Sequence, residues 1–241
     1  MNSAVNYFLS KPSAWYAFLL WPKFSLTSYR MVTSLRQQGI LPKTVIDVGA
    51  NVGQFAIAAA KLFPEAHIHS FEPQPECVAR LTRNTRALSN ITVYPLALGE
   101  SEGEAMFQLN THSHSGSFLP LAAAHRTAFP GAQELQRIPV RVSRLDDVLT
   151  DVDLPSPVLL KLDVQGYEPW VLEGCTNILE RVDYVVLEAS LKPMYEGECL
   201  FEEIISIMRG YGFSFLRPIG WLSDPESGEI LQLDALFAKS R

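Results

Sequence analysis

At 241 residues and 47% hydrophobic content, the chain has the size of one ordinary domain, able to bury a core without disulfides or a structural metal. Its formal net charge of −6 argues against a general grip on a nucleic-acid backbone, which needs a basic face. The three cysteines, Cys77, Cys175 and Cys199, show neither disulfide nor metal spacing. With no signal-peptide pattern, a reduced, cytoplasmic chain is expected.

Residues 1–40 read as a mainly helical leader. Within it, Trp15 to Trp21 form an apolar, aromatic run far shorter than the ~20 residues of a membrane span. Packing onto the main domain or onto a second copy in a homo-oligomer is its ordinary explanation; interfacial membrane attachment is the sharper one. The first central strand is expected at 44–48, a continuous apolar run of the kind covered on both faces. A Gly turn, 49–51, leads into a helix over 52–62 with Asn51 as its N-cap. A strand at 66–71, a helix at 75–88 and a strand at 91–95 follow.

Residues 100–145 break this βα rhythm. Short strands at 104–109 and 137–142 flank a His/Ser/Gly-rich loop, 110–118, and the whole insertion is placed where a substrate cover would lie. Order returns with a strand at 158–163, a helix at 168–179, a strand at 183–188 and a helix at 198–210. Segments 213–216 and 231–238 close the chain as an antiparallel pair. The pattern predicts a doubly wound α/β domain, residues 41–241, with a mostly parallel seven-stranded sheet.

The chemistry concentrates at strand ends. Thr44-Val45-Ile46-Asp47-Val48-Gly49-Ala50-Asn51-Val52-Gly53 is a strand ending in an acid followed by a tight turn into a helix. The next strand ends at Phe71-Glu72-Pro73. A dinucleotide fingerprint needs an open glycine where Asn51 stands, so a nucleoside without a diphosphate fits better, and S-adenosylmethionine is the obvious one. Gly49, Ala50 and Gly53 let the ligand approach the backbone. Asp47 orients the loop or meets the ligand ammonium through water. Glu72, beside Pro73, is suited to accept both ribose hydroxyls, though capping the Pro73 turn is its structural alternative. Ala97, within Leu96-Ala97-Leu98, is placed for the adenine edge.

Asp163 ends the fourth strand, and Lys161 two residues earlier shares its side. The pair steers a substrate hydroxyl or balances a buried charge. His112 and His114 are the other candidate bases, if their loop folds over the crevice. Asp163 and Glu188 leave an oxygen-rich divalent-metal site open, but no ligand motif supports one. His67 and His69 look structural, and Tyr167 and Trp170 are candidate walls of the acceptor site or packing residues.

Taken in order, Val45–Gly53, Phe71-Glu72-Pro73, Asn84, Ala97-Leu98-Gly99, Leu145-Asp146-Asp147, Lys161 to Glu168, Val171-Leu172-Glu173-Gly174 and Leu187-Glu188 resemble the FkbM-type, class I S-adenosylmethionine-dependent methyltransferases. The resemblance spans about residues 43–215. Where the family commonly has an acid before glycine, this chain has Gln165-Gly166. The resemblance implies O-methylation of a sugar, glycan or polyketide-type hydroxyl, with S-adenosylhomocysteine as product, while the net negative charge argues against a nucleic-acid partner. N-methylation of a small metabolite or peptide, and a non-catalytic scaffold, are the remaining readings.

Overall fold

The computed structural model describes residues 11–110, 116–129, 131 and 134–240. The leader forms helices α1 (Pro12–Leu20) and α2 (Leu26–Gln37). Then come β1 (Thr44–Val48), α3 (Gln54–Leu62), β2 (His67–Phe71), α4 (Pro75–Thr85) and β3 (Ile91–Tyr94). The middle of the chain holds β4 (Ala97–Leu98), β5 (Gly103–Asn110), α5 (Ala123–Ala128), β6 (Glu134–Ser143) and α6 (Leu145–Val148). It ends with β7 (Val158–Leu162), α7 (Glu168–Glu173), α8 (Thr176–Arg181), β8 (Tyr184–Ser190), α9 (Phe201–Gly210), β9 (Phe213–Ser223) and β10 (Ile230–Lys239).

The main sheet has seven strands in the order β3-β2-β1-β7-β8-β10-β9. All neighbours are parallel except β10, which runs antiparallel to both β8 and β9. Every residue of β1 and β7 is buried, because helices cover both faces. On one face Val45, Ile68, Leu159 and Val186 meet Phe55, Ala56 and Ala59 of α3 and Val32 and Leu35 of α2. On the other, Ile46, Leu160 and Val185 meet Val171, Ile178 and Met208. The small side chains of α3 let it lie close to both β1 and α2. A smaller sheet, β4-β6-β5, is built largely from residues 100–145.

Four elements depart from expectation. Helix α3 starts at Gln54 with Gly53 as its N-cap, at a φ of +94°. Asn51 is instead a left-handed turn residue (φ +49°) whose Oδ1 accepts from Val52 N at 2.6 Å. The single helix expected over 168–179 is two, broken at Gly174 and Cys175. A Cβ on Gly174 would land on the Gly99 carbonyl oxygen, and the buried Asp146 carboxylate caps α8 by accepting from Asn177 N (3.2 Å) and Ile178 N (2.9 Å). Helix α9 begins at Phe201, because Glu198 spends its carboxylate on the backbone N–H groups of Met194 and Tyr195. Strand β9 runs through Pro218 and Gly220 to Ser223, tolerable since it is an edge strand with register shifts.

Helix α1 buries Ala14 and Ala17 against Tyr29, and exposes Trp15, Tyr16, Phe18, Leu19 and Leu20. Among the described residues no helix is long and apolar enough to cross a membrane.

Candidate active site

Open parallel sheets bind ligands outside the carboxyl ends of their strands, where the strand order reverses. Here that point lies between β1 and β7, and a cavity of about 240 Å³ opens there. Its floor is the turn after β1. Gly49, at a φ of +81°, and Ala50 both donate their N–H to the Phe71 carbonyl, at 3.0 and 2.9 Å, which ties this turn to the end of β2. A Cβ on Gly49 would fall on the Asp163 carbonyl oxygen, so the turn and the end of β7 touch through backbone alone.

Glu72 stands at the rim of that floor. Its Oε2 accepts from Asn51 N at 2.8 Å and its Oε1 from Gln74 N at 2.9 Å. The turn-capping and ligand-facing readings of Glu72 thus meet in one side chain, since each oxygen keeps a lone pair beyond its backbone bond. Burial pushes its pKa up to about 7, with the two backbone N–H groups opposing the rise. In its ionised form this buried group is acceptor-only, which suits a ribose diol in a nucleoside-sized space. Pro73, Leu96 and Ala97 line the cavity beside it.

On the far side, Lys161 and Asp47 are direct neighbours in the β1–β7 register. Lys161 Nζ lies 3.4 Å from Asp47 Oδ1 and 3.1 Å from Asp163 Oδ2. Burial alone would lower the Lys161 pKa, but Asp163 and Asp47 more than offset it and hold the ammonium charged. Asp163 is the outward member of this chain, its side chain 39% exposed against 7% for Lys161.

Gln165, left-handed at a φ of +58°, completes the network. Its Nε2 donates to Asp163 Oδ1 (2.7 Å) and Glu188 Oε2 (2.9 Å), and its Oε1 accepts from the Tyr195 hydroxyl at 2.6 Å. The place between Asp163 and Glu188, where a cation could have been imagined, is taken by an amide NH₂. Glu188 is pushed well above the ordinary carboxylate range by burial, then by Asp163 and Asp234. Among the described residues no group of three or more His, Cys, Asp or Glu is placed to hold a metal ion.

Gly49, Ala50, Asn51, Glu72, Pro73, Ala97, Lys161 and Asp163 all line the cavity. Asp47 and Gly53 do not. Asp47 is fully buried beneath the turn and reaches the cavity only through Lys161, and Gly53 gives its space to Leu81. His112 and His114 lie outside the described residues. His67 and His69 bond Thr92 and Tyr94, at 2.8 and 3.1 Å, as structural residues would. Tyr167 lines the cavity and stacks on Trp170 at 4.6 Å.

Sequence reasoning missed Ser25, Thr27 and Ser28, which bring the first turn of α2 to the cavity wall. It also missed Phe107 of β5 and Phe118, which packs edge-on against it. The only local signal in the leader was Ser25, which accepts from Ser28 N at 3.3 Å.

This strand order, with its late antiparallel insertion and a nucleoside-sized cavity at the switch point, defines a class I S-adenosylmethionine-dependent methyltransferase. Magnesium protoporphyrin IX methyltransferase (ChlM) from Synechocystis PCC 6803, solved with bound S-adenosylmethionine, has the same fold: TM-score 0.51 and 14% identity over 89% of this chain and 78% of that one. The chain belongs to the FkbM methyltransferase family, whose domain model, "Methyltransferase FkbM domain", matches residues 47–215. The 2-O-methyltransferase NoeI of Sinorhizobium fredii is 26% identical over 79% of this chain and 80% of its own length. The hexuronic acid methyltransferase AglP of Haloferax volcanii is 29% identical over 59% of this chain and 54% of its own. The protein is thus an enzyme that uses S-adenosylmethionine and releases S-adenosylhomocysteine.

Proposed function

We propose that the protein transfers the methyl group to a hydroxyl oxygen of a sugar, glycan or polyketide-like small molecule, with Asp163 as the proton acceptor. The observation that carries this is the position of Asp163: a partly exposed carboxylate on the cavity wall, oriented by Lys161 and Gln165. The relatives NoeI and AglP, by name a 2-O-methyltransferase and a hexuronic acid methyltransferase, support the substrate class.

S-adenosylmethionine, when bound, supplies an electrophilic sulfonium methyl, so most of the remaining work is placement of the acceptor oxygen. Glu72 would hold the ribose hydroxyls, and Leu96, Ala97 and Leu98, which line the cavity, would flank the base. Ala50 and Asn51 hold the floor. Asp163 would take the proton that the acceptor hydroxyl loses as the cofactor supplies the methyl and leaves as S-adenosylhomocysteine. Lys161 keeps the Asp163 carboxylate turned toward the cavity and balances Asp47 behind it.

The test is calorimetric binding of S-adenosylmethionine and S-adenosylhomocysteine, with NAD as control and Glu72→Ala alongside. Micromolar binding to the first two, lost in the variant, is expected. A folded protein that binds neither would sink the reading.

A further inference from the structure

A second cavity, of about 250 Å³, opens beside the first. The two share Thr27, Ser28, Phe55, Lys161 and Asp163 as their common wall. Asp163 therefore faces both spaces. The outer wall of the second cavity comes from the terminal hairpin and carries Trp221, Gln232 and Asp234.

These residues make a particular kind of surface. Trp221 is 64% exposed, an indole at an open mouth with no stacking partner to occupy its face among the described residues. Asp234 is neighbour to Glu188 across β8–β10 and to Gly220 across β9–β10. A Cβ on Gly220 would strike the Asp234 carboxylate, so a glycine is what lets that acid lie against the edge strand. Among the described residues no hydrogen bond reaches the Asp234 carboxylate, although it is largely enclosed. Gln232 gives Nε2 to Ser190 Oγ at 3.3 Å and lines the same wall. Among the described residues its ionisable lining is Asp163, Glu188 and Asp234 with one cation, Lys161, which is already paired with Asp47 and Asp163.

We propose that this second cavity is the acceptor subsite and that it takes an uncharged sugar ring, stacked on Trp221, with ring hydroxyls donated to Asp234 and the reacting hydroxyl presented to Asp163. The inference rests on the methyl-transfer reading above. An aromatic platform matches the apolar C–H face of a pyranose, and unpaired carboxylate oxygens match its hydroxyls. A carboxylated sugar would bring a further negative charge beside acids that have no free cation to offer, so a hexuronate is rejected. Thr27 and Ser28 place the leader helix α2 at the boundary, where it closes the acceptor space as well as the cofactor space.

Saturation-transfer NMR on the full chain saturated with S-adenosylhomocysteine tests this, with methyl glucopyranoside and methyl galactopyranoside as probes and methyl glucuronopyranoside as the charged control. A signal from at least one neutral glycoside, weakened roughly tenfold in affinity by Trp221→Ala, and silence from the glucuronide, is expected. Asp234→Asn, which keeps the shape and removes the charge, should narrow the gap between neutral and charged sugars. The proposal is overturned if no neutral glycoside binds, if the glucuronide binds as well as the neutral sugars, or if Trp221→Ala leaves the signal intact. Failure of S-adenosylhomocysteine itself to bind would strike the methyltransferase reading instead, and calorimetry on the same samples separates the two. Trp221 is exposed, so its replacement leaves the core in place.

Discussion

Gly49 sits at a φ of +81° with its α-carbon facing the Asp163 carbonyl. Alanine there meets both the left-handed strain and a backbone atom that cannot yield. Gly49→Ala should lose more than about 2 kcal/mol of stability by urea unfolding; a loss near zero would show that the turn and β7 are free to part. Asp163→Asn should cut turnover by about 10²–10⁴-fold while leaving S-adenosylhomocysteine affinity nearly unchanged if, as proposed, Glu72 and the β1 turn hold the cofactor. Glu72 would then set a pH limit on that affinity. With its pKa at about 7, its ionised fraction falls roughly tenfold from pH 8 to pH 6. If the ionised form holds the ribose, the dissociation constant should rise by about that factor in the same interval. A pH-independent affinity would separate Glu72 from ribose recognition.

Helix α2 is the element whose importance reaches beyond its own packing. Val32 and Leu35 seat it on α3 and the sheet, and its first turn walls both cavities. Leu35→Ala should destabilise the protein by about 2–5 kcal/mol, read from the unfolding midpoint, and should also weaken cofactor binding if α2 loosens. Normal stability would mean that the leader is not part of the folding unit. Strands β1 and β7 were legible in the sequence because a continuous apolar run ending in an acid has few other interpretations. Glu72 was legible because it ends the next strand. The break between α7 and α8 was not, since its causes are Gly99 and Asp146, distant in sequence. Nor was the role of the leader: Thr27 and Ser28 look like solvated positions until α3 brings them over Asp163. Trp221 and Asp234 escaped notice for a similar reason. Pro218 and Gly220 suggested a loop, and only the pairing of β9 with β10 turns that stretch into a wall.

The whole molecule buries carboxyl groups that are easier to bury protonated. Burial raises the pKa of Glu72 to about 7, of Glu168 to about 8 and of Asp234 to about 6. Each takes up a proton on folding between its ordinary value and its folded one. Their contribution is present in full below the unfolded pKa and is lost as pH rises through about 6 to 8. His69 acts oppositely: burial and the neighbouring His67 lower its pKa to about 4, so its contribution is lost as pH falls from 6.5 toward 4. The ligand-free protein should therefore melt at a higher temperature at pH 6.5 than at pH 8.5 and should gain further toward pH 5, with His69 offsetting part of that gain. Scanning calorimetry at constant ionic strength checks this, and a melting temperature that climbs with pH would contradict it. Saturating S-adenosylhomocysteine should shrink the difference, since ribose recognition favours the charged form of Glu72.

The amide of Gln165 has a direction. Its oxygen is committed to the Tyr195 hydroxyl, and its NH₂ faces Asp163 and Glu188. An amide surrounded in this way hands hydrogen bonds outward and has no lone pair left on its nitrogen to take a proton back. It is a barrier between Asp163 and Glu188. Under the proposed mechanism, a proton taken up by Asp163 has no path through Gln165 to Glu188.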